Sequence, residues 1–410
     1  MEKRIAKNGL YLILSQVAGR TIGFAYFIFL ARSLTVENFG IYAWVLGFVY
    51  NFLPVADLGI ERYILKNLPR HPDRSGEYFR DLLGLKIALA GITFLLTIAL
   101  GLVLGLSGEK LVSLLIFSLI FLPNNIIHLT ASFQNAREEV ITGIAANLFF
   151  STLGALMGAG AVFLGLGVTW LFITYFAALL ITALGVIVRA QELDLPLKPR
   201  FSPKTIRLVW RECRFFAILV IMGNFYLRIP LITIGQTMGD YWAGIYGSVS
   251  KFLEAGILIP QAVSLAVAPT FSRLLIQNKN QLKKIYRQIS LGVVLLSLLP
   301  LMIFLLAGEF FINLVYGGRY LPAVPALKIL GLVLPLLFFN FLAANIIENS
   351  KKVKGFTPWA IGHFVLVFLL AIILPGRWGI AGGAASLLIG EIIRLGLNQN
   401  FINKILKTSS

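Results

Sequence analysis

The chain has 410 residues, 58% of them hydrophobic and only 13% charged, with a mean hydropathy of +0.85. Soluble domains carry roughly 25% charged residues, so this composition leaves too little polar surface to cover a water-soluble globule and excludes the soluble classes. The formal charge of +18 sits in short segments between apolar runs, where it acts as a topology signal and a contact for anionic membrane lipids, with no nucleic acid implied.

The start, "MEKRIAKNGLYLILSQVAG", is basic, but its apolar run continues far past the h-region of a signal peptide and reads as a retained first span. A spanning helix needs roughly 20 mostly apolar residues. Twelve segments meet that length within a few residues: 9–31, 39–60, 82–106, 111–133, 140–164, 167–188, 215–235, 241–262, 289–307, 321–347, 356–374 and 379–402. Their length without polar alternation argues against a β-barrel, so the expected fold class is an all-α integral membrane protein. Pro335 is a candidate kink in the tenth span.

With the N-terminus inside, 26 Lys and Arg fall in cytoplasmic segments, against four (Arg32, Lys110, Arg319 and Arg377) outside. That asymmetry predicts a multi-pass protein of the cytoplasmic membrane with both termini cytoplasmic. The longest basic connection, Arg189 to Arg214, contains Pro196, Pro199 and Pro203 and separates six spans from six. The expected domains are therefore six-helix bundles over 1–200 and 201–410, arranged as parallel repeats. An internal echo supports them. Gln16 and Arg20 precede "GIY" at 40–42, and Asn224 and Arg228 precede "GIY" at 244–246.

Six cations lie within spans: Arg20, Lys86, Arg228, Lys251, Lys328 and Arg394. Arg20 is 11 residues from each end of its span, roughly 16 Å from either interface and beyond the reach of snorkelling. A cation there costs about 2.5 to 3.5 kcal/mol on insertion scales and needs a partner or a wet cavity. Two readings stand: a structural pair with an acid such as Asp57 or Glu254, or a cavity-lining cation that meets an anionic substrate. Arg228 lies two residues before Pro230, whose missing N–H invites a bend. Lys251 and Glu254 are three apart on one helix face, either a self-neutralising pair or a cavity lysine beside an acid suited to ion coupling. Glu391 and Arg394 repeat that spacing and read as structural. Lys86 and Lys328 lie near span ends and read as snorkelling anchors. Asp57 reads as solvated or as capping a turn, and His363 as hydrogen-bonded to a neighbouring helix.

No phosphate-cradling Gly-Lys-Ser/Thr loop is present, and three scattered histidines (His71, His128, His363) with one cysteine, Cys213, offer no metal set, so neither cofactor nor metal is expected. Cys213 alone also forms no intramolecular disulfide. The external connections are too short for a catalytic domain, which argues against an enzyme such as a glycosyl polymerase.

The opening "LARSL" and "FGIY" elements at Leu30 to Leu34 and Phe39 to Tyr42, and "DLGI" at Asp57 to Ile60, resemble the N-terminal region of O-antigen-type polysaccharide flippases. These belong to the multidrug/oligosaccharidyl-lipid/polysaccharide exporter superfamily. "GIYGSVSKFLEAGILIPQAVSLAVAPTFSRL" is similar to the eighth helix of that family and the loop after it. The resemblance implies a V-shaped pair of bundles around a central cavity, alternating access, and an undecaprenyl-diphosphate-linked oligosaccharide as substrate. It further implies glycan polymerases as partners. By helix position it marks Arg20 first, then Arg228 and Lys251, with Gln16 and Asn224 beside them, as the cationic binding set. Glu254 and Asp57 are the candidates for ion coupling. A multidrug and toxin extrusion antiporter is the alternative, and such a site wants acids where this chain places arginine and lysine.

Overall fold

In the computed structural model the described residues are 2–70, 74–136, 140–192, 195–350 and 353–407, and they form helices with no strand among them. The helices are α1 (Glu2–Ser33), α2 (Val36–Asp57), α3 (Ile60–Asn67), α4 (Ser75–Val103), α5 (Gly108–Ser118), α6 (Phe121–Ala136), α7 (Ile141–Phe163) and α8 (Val168–Glu192). After the central connection come α9 (Pro203–Thr237), α10 (Asp240–Gly256), α11 (Leu258–Gln277), α12 (Lys279–Leu306), α13 (Gly308–Val315), α14 (Val324–Glu348) and α15 (Val353–Lys407). His71 lies outside the described residues.

Ten of these stretches are single helical spans by length and apolarity, and α10 with α11 makes an eleventh, bent by 46°. The stretch Gly355–Leu406 is 52 residues long, about 78 Å as a helix, more than twice a bilayer's hydrocarbon. It is broken at Trp378 and Gly379, where Gly379 takes φ 57°, a left-handed value that a side chain resists. Dividing it there gives two spans and brings the number to the twelve expected. α5 and α6 together fill the fourth segment, and α14 runs through Pro335.

The largest departures from the sequence reading are at helix ends. α9 begins at Pro203 rather than 215, and α4 at Ser75 rather than 82. Charged turns are helical here because one side of them packs, which a hydropathy window cannot detect. The central connection thereby shrinks to 193–202. Arg200 pins it: its Nε donates to the Asp81 carboxylate and its NH2 to Glu77 at 2.9 Å, and these bonds hold the guanidinium pKa above its ordinary range.

The chain forms two compact units, one of Met1–Thr35 with Val45–Asn224 and one of Val36–Trp44 with Phe225–Ser410. These units differ from the two sequence halves: the division falls inside α9, and the first turns of α2 belong to the second unit. In the first unit Ile60, Tyr63, Phe79, Leu82, Phe133, Val209 and Cys213 form a buried core. α1 lies against α7 at Gly19, where a Cβ would meet the Asn147 amide at 2.7 Å, and Asn147 Nδ2 donates to Ser15 O at 2.8 Å.

In the second unit α14 is the central, largely buried helix, packed by α10, α11, α12 and α15. The two "GIY" tripeptides meet in this unit. A Cβ on Gly40 would run into the Asp240 carbonyl, and one on Gly244 into the Val36 carbonyl. Such reciprocity, each copy touching the start of the other's helix, is what a two-fold relation between equivalent elements produces. The weak echo in the sequence is thus a pair of glycines that let two helices approach to backbone contact.

Candidate functional site

Arg228, Lys251 and Glu254 come together in the second unit. α9 carries Arg228, and the short turn at Thr237–Asp240 folds α10 back so that Lys251 and Glu254, one turn apart, face it. Arg228 Nε lies 3.0 Å from Glu254 Oε1, and Lys251 Nζ lies 2.8 Å from Glu254 Oε2. The carboxylate is thus shared, one oxygen to each cation. Its side chains are 17–26% exposed, sheltered but open enough to exchange partners. Asn224, one turn before Arg228, donates instead along its own helix to Val220 O at 3.4 Å.

Asp57 belongs to another cluster, in the first unit. α2 ends there because Leu58 and Gly59 take left-handed φ values of 50° and 81°, and Asp57 Oδ2 accepts the Gly59 N–H at 3.0 Å. That arrangement gives "DLGI" its physical sense: the aspartate caps the break, and the glycine admits Cys213, whose Cβ lies 3.2 Å from where a side chain at 59 would begin. Asp57 Oδ1 also lies 2.6 Å from Lys86 Nζ. Asn125 completes the group, accepting from Lys86 Nζ at 3.4 Å and donating to the Ala56 and Lys86 carbonyls at 3.1 and 2.9 Å.

One sequence expectation changes here. Lys86 is no snorkelling anchor: it is 1% exposed, turned inward onto Asp57 and Asn125. The two acids considered for Arg20 each meet other cations, Asp57 meeting Lys86 and Glu254 meeting Arg228 and Lys251. Gln16 and Arg20 are exposed along one stripe of α1, next to the Ser15 and Gly19 side that packs on α7. An open apolar groove of about 400 Å³ between α1 and α7, lined by Tyr11, Leu14, Ala18 and Ile144 among others, lies on the far side of α1 from Arg20.

Sequence reasoning missed one further polar group. Glu391, fully buried, accepts from Asn340 Nδ2 at 2.7 Å and from Arg394 at 3.5 Å, while Asn398 donates to Asn340 Oδ1 at 3.0 Å. The structural reading of Glu391 with Arg394 matches this contact, and spacing alone could find that pair. It could not find Asn340, 51 residues away. His363 meets the Gly390 carbonyl at 2.8 Å, the neighbouring-helix bond expected of it. Among the described residues no group of three or more His, Cys, Asp or Glu could hold a metal ion.

Comparison with known proteins gives this architecture its context. The family model described as polysaccharide biosynthesis protein matches residues 5–275. Capsular polysaccharide biosynthesis protein CapF of Staphylococcus aureus is 23% identical over 409 residues, covering 95% of this chain and 97% of CapF. Among solved structures, the inward-facing conformation of a multidrug resistance MATE family transporter of the MOP superfamily aligns with a TM-score of 0.76 at 14% identity, over 96% of both chains. A MOP superfamily transporter from Pyrococcus furiosus, described as having a binding pocket of reverse polarity that suggests a different function, aligns at 0.65 and 13% identity, over 99% of this chain and 97% of that one. These likenesses show the fold: a multi-pass membrane protein built as MOP-superfamily transporters are.

Proposed function

The chain belongs to the polysaccharide biosynthesis protein family, and from that membership, the transporter fold and the charge of the site we propose that it is a flippase. It moves an undecaprenyl-diphosphate-linked oligosaccharide from the cytoplasmic to the external leaflet by alternating access. The observation that carries this reading is the excess of cations over acids at membrane depth. Arg228 and Lys251 share one carboxylate, and Arg20 stands exposed on α1 within the span Leu14–Ser33. A cation so placed faces lipid at a high cost or lines a wet path, and the path is the cheaper choice.

A diphosphate is doubly anionic and cannot cross hydrocarbon unaided. Guanidinium groups suit it because their planar fork pairs with phosphate oxygens two at a time, and Lys251 adds a point charge. In this mechanism Glu254 is the resting counter-ion: phosphate oxygens replace its carboxylate on Arg228 and Lys251, and it returns when the substrate leaves. The cations are then never bare, and the polyprenyl tail stays in lipid. The positive-inside asymmetry supports cytoplasmic termini in the cytoplasmic membrane. Exporting organic cations would need the opposite balance of charge.

The test is reconstitution into liposomes with a labelled lipid-linked oligosaccharide and measurement of its movement between leaflets, with Arg20→Gln and Arg228→Gln beside the unaltered chain. Flipping should fall to background in both variants while insertion into the bilayer is retained. Export at the normal rate by both would exclude the cationic site.

A further inference from the structure

The first turns of α9 present a charged and aromatic face apart from the cluster of Arg228, Lys251 and Glu254. α9 has 35 residues, about 52 Å, whereas the hydrocarbon takes roughly 20 residues. Counted back from Thr237, the membrane part ends near 218, so 203–217 lies at the headgroups and beyond. One side of this segment is fixed to the first unit: Thr205, Val209, Cys213 and Ala217, four apart, are buried, and Thr205 Oγ1 donates to Asp81 at 2.7 Å. The other side carries Lys204, Arg207, Arg211 and Arg214, all exposed, with Trp210 half-exposed among them and Phe215 beside Arg214.

The nearby acids are engaged with other cations. Glu212 holds Lys66 at 3.1 Å, and Glu77 and Asp81 hold Arg200. The exposed face therefore keeps its full positive charge. Arginines with a tryptophan at interfacial depth are the composition that recognises phosphate headgroups: guanidinium pairs with phosphate, and the indole sits where apolar and wet regions meet.

We propose that the Arg207, Trp210, Arg211 and Arg214 face of α9 binds anionic phospholipid headgroups of the leaflet on the N-terminal side of that helix. Under the orientation proposed above this is the cytoplasmic leaflet. The first third of α9 is then held on one side by the first unit and on the other by the membrane surface.

The full-length protein is purified into nanodiscs of phosphatidylcholine with a minority of phosphatidylglycerol, and the phosphatidylglycerol retained per protein is counted by native mass spectrometry. The triple variant Arg207→Gln, Arg211→Gln, Arg214→Gln should retain about ten-fold less. A control with the same charge loss on the start of α12, Lys283→Gln, Lys284→Gln, Arg287→Gln, should change retention less than about two-fold. Equal losses in the two triples, or none in the first, would overturn the proposal. So would a first triple that keeps phosphatidylglycerol and loses only a polyprenyl diphosphate, which reassigns the face to the substrate. If the triple proves unstable, Trp210→Phe serves instead: brominated phosphatidylglycerol should quench the variant less than the unaltered chain, while brominated phosphatidylcholine, which also reaches the exposed Trp170, Trp359 and Trp378, should not separate the two, and unchanged quenching by the anionic lipid counts against the site. Lipid retention does not depend on transport, so a failed flipping assay and a failed lipid assay remain separate results.

Discussion

Two charged clusters sit at membrane depth in this molecule, one in each compact unit, and they differ in balance. Lys86 and Asp57 pair one to one, with the lysine 1% exposed and an asparagine closing the group around a helix break. Arg228, Lys251 and Glu254 pair two to one, two cations on one carboxylate that is 26% exposed. A one-to-one pair whose cation is buried holds structure together. A sheltered cluster with surplus charge and an exchangeable counter-ion can hold structure and also receive an anion, and that separates staple from site better than burial or residue type.

The comparison is broken most severely at the staple. Lys86→Ala leaves the Asp57 carboxylate without its cation and Asn125 without its donor, and should cost about 3 kcal/mol, the low end of the penalty for removing one partner of a buried pair, because Asp57 is itself 23% exposed. Thermal unfolding of the purified protein would read it, and a variant that melts with the unaltered chain would show that the pair contributes nothing to the fold. Glu254→Gln is the matching change in the open cluster. It leaves two cations close together, but a neutral amide still accepts from them, so about 2 kcal/mol is expected. Its second signature is functional: with no carboxylate to displace, the diphosphate should bind more tightly and leave more slowly, so binding rises while turnover falls.

A contact without charge provides the scale for both. Gly244→Ala drives a Cβ into the Val36 carbonyl, and about 1 to 3 kcal/mol of overpacking cost is expected, with Gly40→Ala behaving alike if the crossing is a true two-fold. A large effect at one glycine and none at the other would mean that the reciprocity is only apparent.

How much of this was legible in the sequence divides along the same lines. The spans were, because twenty apolar residues in a row have few other uses. The echo of the two "GIY" tripeptides was legible, though not the fact that they touch. Lys251 with Glu254 and Arg394 with Glu391 could be read because helix geometry fixes neighbours three apart. Arg228 with Glu254, Lys86 with Asp57 and Asn340 with Glu391 could not, since each joins different helices and no spacing rule spans the turn or loop between them. Lys86 was misplaced for a separate reason: hydropathy marks where a helix enters lipid, while α4 begins two turns earlier in charged sequence.

The smallest change in stability should come with one of the more informative losses of function. Lys251→Gln removes one of the two cations on Glu254 and leaves Arg228 paired one to one, which turns the open cluster into a neutral one like the staple. The glutamine can still donate to the carboxylate, so unfolding should move by less than about 1 kcal/mol. If surplus charge is what admits the diphosphate, leaflet-to-leaflet movement should drop by about ten-fold or more, since one cation at a sheltered site accounts for at least one tenfold factor in anion affinity. Lys251→Arg should restore it, because charge and not side-chain shape is the requirement. A glutamine variant that flips normally would place the surplus charge among the structural features, and would leave Arg20 and Arg228 to account for substrate recognition without it.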